Sequence, residues 1–262
     1  MSLSAEQIEE LAEYLETAEL EASAVTKITD RYPDMDFRDA YGVQEAISRR
    51  KQARGTRIVG MKMGLTSRAK MDQMGVRTPI YGFLADYFSV PDGGSIERAD
   101  LIHPKVEAEI ALVTRAPLRG PGCHVGSVLA ATEFVMPAIE VIDSRYENFR
   151  FDLVSVIADN TSASRFATGS RVVAPEGLDL STVGVVLEKN GEVVEVGAGA
   201  AVLGHPATSV AMLANMLGER GQEIPAGSII LSGAITAAVP MEAGDSVTVR
   251  AHGMGSVSLR FT

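Results

Sequence analysis

Residues 106–113 read VEAEIALV, and residues 134–142 read FVMPAIEVI. The first stretch alternates with period two, which predicts a strand. Val106, Ala108, Ile110 and Leu112 share one face, and Glu107, Glu109, Ala111 and Val113 share the other. The second stretch is a near-continuous apolar run, the pattern of a strand buried on both faces, yet it contains Glu140. Two carboxylates two positions apart on a strand have Cα atoms roughly 6.5–7 Å apart and raise each other's pKa unless a cation sits between them. An unpaired carboxylate in a buried run costs several kcal/mol. One divalent cation resolves all three anomalies. Three carboxylates suit Mg²⁺ or Mn²⁺, hard ions that prefer oxygen, and no histidine or cysteine cluster accompanies them to favour zinc. The alternative is an exposed sheet face on which Lys105 or Arg145 pairs with these groups.

Working outward, Lys62 is a lone charge in the apolar stretch 60–64, either snorkelling to solvent or placed to bind or protonate an oxyanion. Residues 159–162, Asp159 to Ser162, form a polar cluster that reads as a turn or helix cap. Residues 232–236, ending in Thr236, are small enough either to make a tight turn or to bring backbone amides to a carboxylate.

The N-terminus predicts a helix. Ser4 and Gln7 have capping-box spacing, Leu3 and Ile8 fit a hydrophobic staple, and Ile8, Leu11, Leu15 and Ala18 fall on one face. A second helix begins near Asp36 and turns Phe37, Ala40, Val43 and Ile47 inward. Its basic end, Arg49 to Lys51, reads as a solvated terminus. After Gly55 the character changes. Residues 56–63 predict a strand, 66–74 one or two helical turns, and 78–90 an aromatic, apolar segment. Residues 183–196 predict a hairpin turning at Asn190-Gly191 with type I′ geometry. Residues 206–217 predict a helix burying Val210, Leu213, Ala214 and Leu217, and strands follow at 228–231, 246–250 and 256–261. The order is α+β with a mixed or antiparallel sheet, divided as a helical region (1–55) and a mixed-sheet core (56–262). No glycine-rich dinucleotide motif occurs.

Composition narrows the classes. The chain has 262 residues, 46% of them hydrophobic, which is ordinary for a globular protein. A net charge of −10 without a basic run argues against nucleic acid and anionic membranes. A single cysteine, Cys123, excludes an internal disulfide. The first residues are acidic and amphipathic, unlike a signal peptide, and no uninterrupted apolar run reaches membrane-spanning length. The expectation is a cytoplasmic protein.

Four phrases carry a further reading: GMKMGLTS (60–67) with the AKMDQMGVRTPIYGFLADYFSV that follows, HPKVEAEIALV (103–113), and IEVIDSRYENFRFDLVSVIADN (139–160). Together they resemble the fumarylacetoacetate hydrolase superfamily, and within it the hydratase/decarboxylase branch of catechol meta-cleavage pathways. The resemblance covers nearly the whole chain. It implies a mixed β-sandwich or β-roll core with an N-terminal helical region, and an enzyme dependent on Mg²⁺ or Mn²⁺. The branch's metal motif falls on Glu107, Glu109 and Glu140, its active-site lysine on Lys62 and its serine on Ser162. Leu65, Ile80, Tyr81, Asp159 and Thr236 are then expected at the substrate. The implied reaction is decarboxylation of 2-oxohex-3-enedioate to 2-hydroxypenta-2,4-dienoate. The alternative is hydration of that dienoate, although hydratases of the branch typically carry Pro-Asp-Phe-Gly where this chain has Pro79-Ile80-Tyr81-Gly82. A non-catalytic metal-binding subunit is a third reading. A C–C bond hydrolase fits less well, because no histidine precedes His103. The expected partners are a small dicarboxylate substrate and either the pathway's hydratase or further copies of this chain.

Overall fold

A computed structural model describes residues 3–67, 71–72 and 75–262. Ser4 caps α1 (Ala5–Leu20) with the expected reciprocal box: its Oγ accepts from Gln7 N–H, and the Gln7 side chain accepts from Ser4 N–H. Leu11, Leu15 and Ala18 are buried. After the short α2 (Ile28–Arg31), Asp36 caps α3 (Phe37–Ala53), which buries Ala40, Val43 and Ile47. Two expectations fail here. Phe37 is 51% exposed, because the first helical residue lies beside the cap rather than over the core. Lys51 is fully buried rather than solvated, since α1 lays Glu16 and Glu19 against it.

The strands form two mixed sheets, as the family resemblance implies. In the first, β2 (Ile80–Ala85), β1 (Ile58–Gly64), β9 (Ile229–Leu231), β4 (Lys105–Thr114), β5 (Thr132–Ile142) and β6 (Ala163–Thr168) are neighbours in that order, and β10 (Val239–Pro240) also pairs with β4. The β1–β9 pair is parallel and the others are antiparallel. The second sheet runs β3 (Gly94–Ile96), β12 (Gly255–Phe261), β11 (Ser246–Ala251), β7 (Gly184–Lys189), β8 (Glu192–Ala198), with β3 parallel to β12. The β7–β8 hairpin turns at Asn190 (φ 55°) and Gly191 (φ 83°), the two positive values a type I′ turn requires. Short helices α4 (Val125–Ala131) and α5 (Leu153–Ala158) follow β4 and β5. The predicted turns over 66–74 lie partly outside the described residues.

The late helix α6 (Pro206–Glu219) is capped by His205, whose Nδ1 accepts from Ala207 N–H at 3.0 Å. The stretch Gly199–Glu219 is long and apolar enough to cross a membrane by composition alone. Here it is a core helix, with Val210, Leu213, Ala214 and Leu217 all buried.

β4 settles the alternation. Val106, Ala108, Ile110 and Leu112 join the large apolar core, whereas Ala111 joins a smaller cluster with Leu84, Phe88, Met136, Phe166 and Leu231. The second face therefore carries both apolar packing and the carboxylates.

Candidate active site

Strand register brings the charges together. Glu107 lies directly opposite Glu140 in the β4–β5 pair, so both side chains leave the same face. Lys62 pairs in register with Leu231 on β9, and Leu231 pairs with Ala111 on β4. Ala111 shares its face with Glu107 and Glu109, so Lys62 projects toward the carboxylates from two strands away. Its Nζ lies 3.0 Å from Glu140 Oε1.

Glu107, Glu109 and Glu140 are 7%, 0% and 1% exposed, and each offers an oxygen within 4.8 Å of the other two. The Glu109 Oε2 accepts from Gly233 N–H at 2.7 Å, as an amide in the 232–236 segment can. Among the described residues, Glu109 Oε1 and Glu140 Oε2 have no hydrogen-bond partner, and Glu140 Oε1 meets Lys62 only as an ion pair. Buried carboxylate oxygens without donors are costly. Burial, with Glu140 and Glu107 nearby, holds the Glu109 carboxyl well above the ordinary range. Burial also raises Glu140, against the opposing Lys62 charge. An all-oxygen, carboxylate-rich set with orphaned lone pairs fits a hard divalent cation.

Lys62 is fixed by a strained turn. Asn160, Thr161 and Ser162 follow one another with φ of 48°, 54° and 56°. Left-handed backbone at a β-branched residue such as Thr161 is unfavourable and needs support from its surroundings. Asn160 supplies it by bonding both Phe83 N–H (2.8 Å) and Phe83 O (3.0 Å), and Thr161 Oγ1 donates to Tyr81 O at 2.8 Å. Two glycines make room: a Cβ at Gly82 would lie 2.6 Å from Asn160 O, and one at Gly64 would lie 2.7 Å from Thr161 Cγ2. The turn then aims Thr161 O at Lys62 Nζ, which donates to it at 3.0 Å.

A cleft of about 400 Å³ opens onto these groups. Of the residues expected at the site, Lys62, Leu65, Ile80, Glu107 and Ser162 line it. Glu109 and Glu140 sit beneath it with Glu107. Three of the expected residues do not line this cleft. Tyr81 points to the opposite face of β2, where its ring stacks on Tyr41 at 4.5 Å and borders a different hollow. Asp159 is wholly buried and engages the Arg145 side chain, so it braces the turn. Burial pushes its carboxyl up to about 7 despite Arg145. Its Oδ2 is 3.4 Å from Ser162 Oγ. Thr236 is buried, and its Oγ1 accepts from Ala108 N–H at 3.2 Å between the two β4 glutamates. Arg145 is thus committed to Asp159 and pairs with none of the trio.

Residues 62–262 match the fumarylacetoacetate (FAA) hydrolase C-terminal family. The chain belongs to the fumarylacetoacetate hydrolase family. It is 66% identical over 260 residues to a 4-oxalocrotonate decarboxylase of Pseudomonas sp. (strain CF600), covering 99% of this chain and 98% of that one. It is 40% identical to a 2-hydroxyhexa-2,4-dienoate hydratase of Comamonas testosteroni, covering 92% of each. Among solved structures, a 4-oxalocrotonate decarboxylase from Pseudomonas putida G7 complexed with magnesium and adipate matches with TM-score 0.98. That match has 64% identity and covers 100% of this chain and 99% of the other.

Sequence reasoning missed part of this family member's cleft wall. Lys105, Phe149 and Phe151 also line it. Lys105 had a signal, since it continues the period-two row through Glu107 and Glu109. Phe149 had none, because its ring is delivered by left-handed backbone at Asn148 (φ 56°) and Phe149 (φ 57°).

Proposed function

We propose that this chain decarboxylates 2-oxohex-3-enedioate to 2-hydroxypenta-2,4-dienoate and CO₂ in the meta-cleavage breakdown of aromatic compounds. The observation that carries the reading is the buried trio Glu107, Glu109 and Glu140, with orphaned oxygens on Glu109 and Glu140 among the described residues, beside Lys62 and below a largely apolar cleft. Two of these relatives supply the reaction class: both are 4-oxalocrotonate decarboxylases, one of them solved with magnesium and adipate.

Glu107, Glu109 and Glu140 hold the cation. When bound, it supplies Lewis-acid polarisation of the substrate's keto oxygen. Loss of the distal carboxylate sends the C5–C6 bonding pair through the C3–C4 double bond to the C2 oxygen, so no side chain has to remove a carbon-bound proton. Lys62 carries three N–H donors. Thr161 O takes one and Glu140 Oε1 faces another, which leaves a third for the C2 oxygen. Lys62 therefore holds that oxygen and delivers its proton. Ser162, on the cleft wall, hydrogen-bonds the substrate. Leu65 and Ile80 keep water from the departing carboxylate.

Hydration is disfavoured by Ile80. A hydratase must place a water and move protons, and this buried cleft residue offers no acid for either task. The test is purified protein with Mg²⁺ and 2-oxohex-3-enedioate. Release of one CO₂ per substrate supports the reading; no CO₂ from that substrate, with separately supplied 2-hydroxypenta-2,4-dienoate converted to 4-hydroxy-2-oxopentanoate, overturns it.

The proposal extends to organisation. Residues 1–55 form a helical region bracing the 56–262 core, in keeping with Gln44 Nε2 donating to Tyr81 O and Ile157 O at 2.9 Å each. The enzyme works in the cytoplasm and associates with the pathway's hydratase or with its own copies, because the dienol product is unstable and benefits from direct transfer.

A further inference from the structure

We infer that Lys105 is a specificity-determining residue that binds the substrate's distal carboxylate and so selects diacids over monoacids. This inference rests on the proposed reaction, which consumes a dianion. Lys105 continues the face of β4 that carries Glu107 and Glu109, roughly 6.5–7 Å from Glu107 along the strand. That spacing is comparable to the reach of a six-carbon diacid whose keto-acid end lies at the trio. Among the described residues lining the cleft, the cations are Lys62 and Lys105. Lys62 is already engaged by Glu140 and Thr161 O.

The Lys105 ammonium makes no ion pair or hydrogen bond with a described residue. Its Nζ rests instead 3.9 Å from the centroid of the Phe149 ring. A cation held on an aromatic face keeps its charge available and gives up little freedom when an anion arrives. The ring is in turn held between His103 (5.2 Å) and Phe151 (5.6 Å). Leu65, Ile142 and Val156 also line the cleft, and against these apolar side chains an unpaired distal carboxylate would be stranded.

The chemistry sharpens the expectation. The distal carboxylate loses its negative charge as it becomes CO₂, so its attraction to Lys105 is a ground-state interaction that weakens in the transition state. Such an interaction lowers KM without raising kcat. It also distinguishes substrate from product, because the product keeps a single carboxylate and has nothing for Lys105 to hold.

The experiment compares Mg²⁺-loaded wild type, Lys105→Met and Lys105→Arg. Calorimetry measures binding of 2-oxohexanedioate and 2-oxohexanoate, saturated ligands that differ only in the distal carboxylate. Steady-state kinetics follow 2-oxohex-3-enedioate. In Lys105→Met, affinity for the diacid should fall roughly tenfold or more, with KM rising in parallel and kcat undiminished. Monoacid binding should stay within about twofold, and Lys105→Arg should restore diacid binding. Equal weakening of both ligands, or of neither, overturns the inference. A wild type that prefers the diacid but releases no CO₂ leaves this inference standing and defeats the proposed reaction instead.

Discussion

Lys51 and Lys62 are both buried, at 0% and 2% exposure, and both lie against glutamates from a neighbouring element. Their surroundings differ in the balance of charge. Lys51 donates to Glu19 at 2.8 Å and lies 3.7 Å from Glu16, while Arg50 and Arg54 also bind Glu16. Burial alone would raise the Glu16 pKa, but the two arginines and Lys51 outweigh it and hold it below the usual range. Around Lys62 the same chemistry runs the other way. Three carboxylates meet that one lysine among the described residues, and Glu109 and Glu140 are pushed up. The first cluster is complete in the protein alone and ties α1 to α3. In the second, Glu109 and Glu140 keep buried oxygens with no hydrogen-bond donor among the described residues, and those oxygens mark a place for a dication.

The two clusters should therefore respond oppositely to the same substitution. Glu109→Gln keeps an acceptor for Gly233 N–H and removes one of three repelling charges. Turnover should fall by at least about 10²-fold, while the metal-free melting temperature does not fall. A full loss of folding in metal-free Glu109→Gln would place Glu109 with the structural cluster. The lysines separate in the same way. Lys62→Met should lower kcat by roughly 10²–10⁴-fold with Mg²⁺ affinity retained, measured by steady-state kinetics and calorimetry. Lys51→Met should instead cost about 3–5 kcal/mol of stability in urea unfolding, because Glu16 and Glu19 lose a buried partner. Its kcat per folded molecule should stay within about twofold of wild type.

Acid should expose the Glu16 cluster. Its folded pKa is depressed, so its stabilisation is present above the ordinary glutamate range and is lost as pH falls through the depressed value. Glu16→Gln should be about 1–3 kcal/mol less stable at neutral pH, and that gap should close in acid. The smallest effect belongs to the second sheet, where Asp245 accepts from Asn190 and pairs with Lys189 at 2.8 Å. Against burial, these partners lower its carboxyl to about 2. Asp245→Asn should cost no more than about 1 kcal/mol above pH ~4, and nothing once wild-type Asp245 is itself protonated, as followed by thermal melts across pH.

The trio was legible because each member broke a local pattern: Glu107 and Glu109 in an alternating strand, Glu140 in an apolar run. The partner of Glu140 was not legible. Lys62 reaches it through the parallel β1–β9 pair and the β9–β4 pair, contacts between segments that lie far apart in the chain. Lys51 was misread for the same reason, since nothing near residue 51 announces that α1 will lay two glutamates on it. Tyr81 lies off the cleft that Ile80 lines: counting by two from Ile80 through Gly82 turns Tyr81 to the other face of β2. The left-handed turn at 160–162 left no glycine in the sequence to betray it. Its support comes from side chains bonded to β2, a tertiary arrangement that overrides local preference.

Titration of metal-free protein with Mn²⁺, followed by electron paramagnetic resonance of the free ion, reads the carboxylate trio most directly. One Mn²⁺ should bind per chain, Mg²⁺ should displace it, and Glu109→Gln should abolish that site while Glu16→Gln leaves it intact. Equal binding by wild type and Glu109→Gln would mean that Glu107, Glu109 and Glu140 do not form the cation site, and the proposed chemistry would lose its foundation.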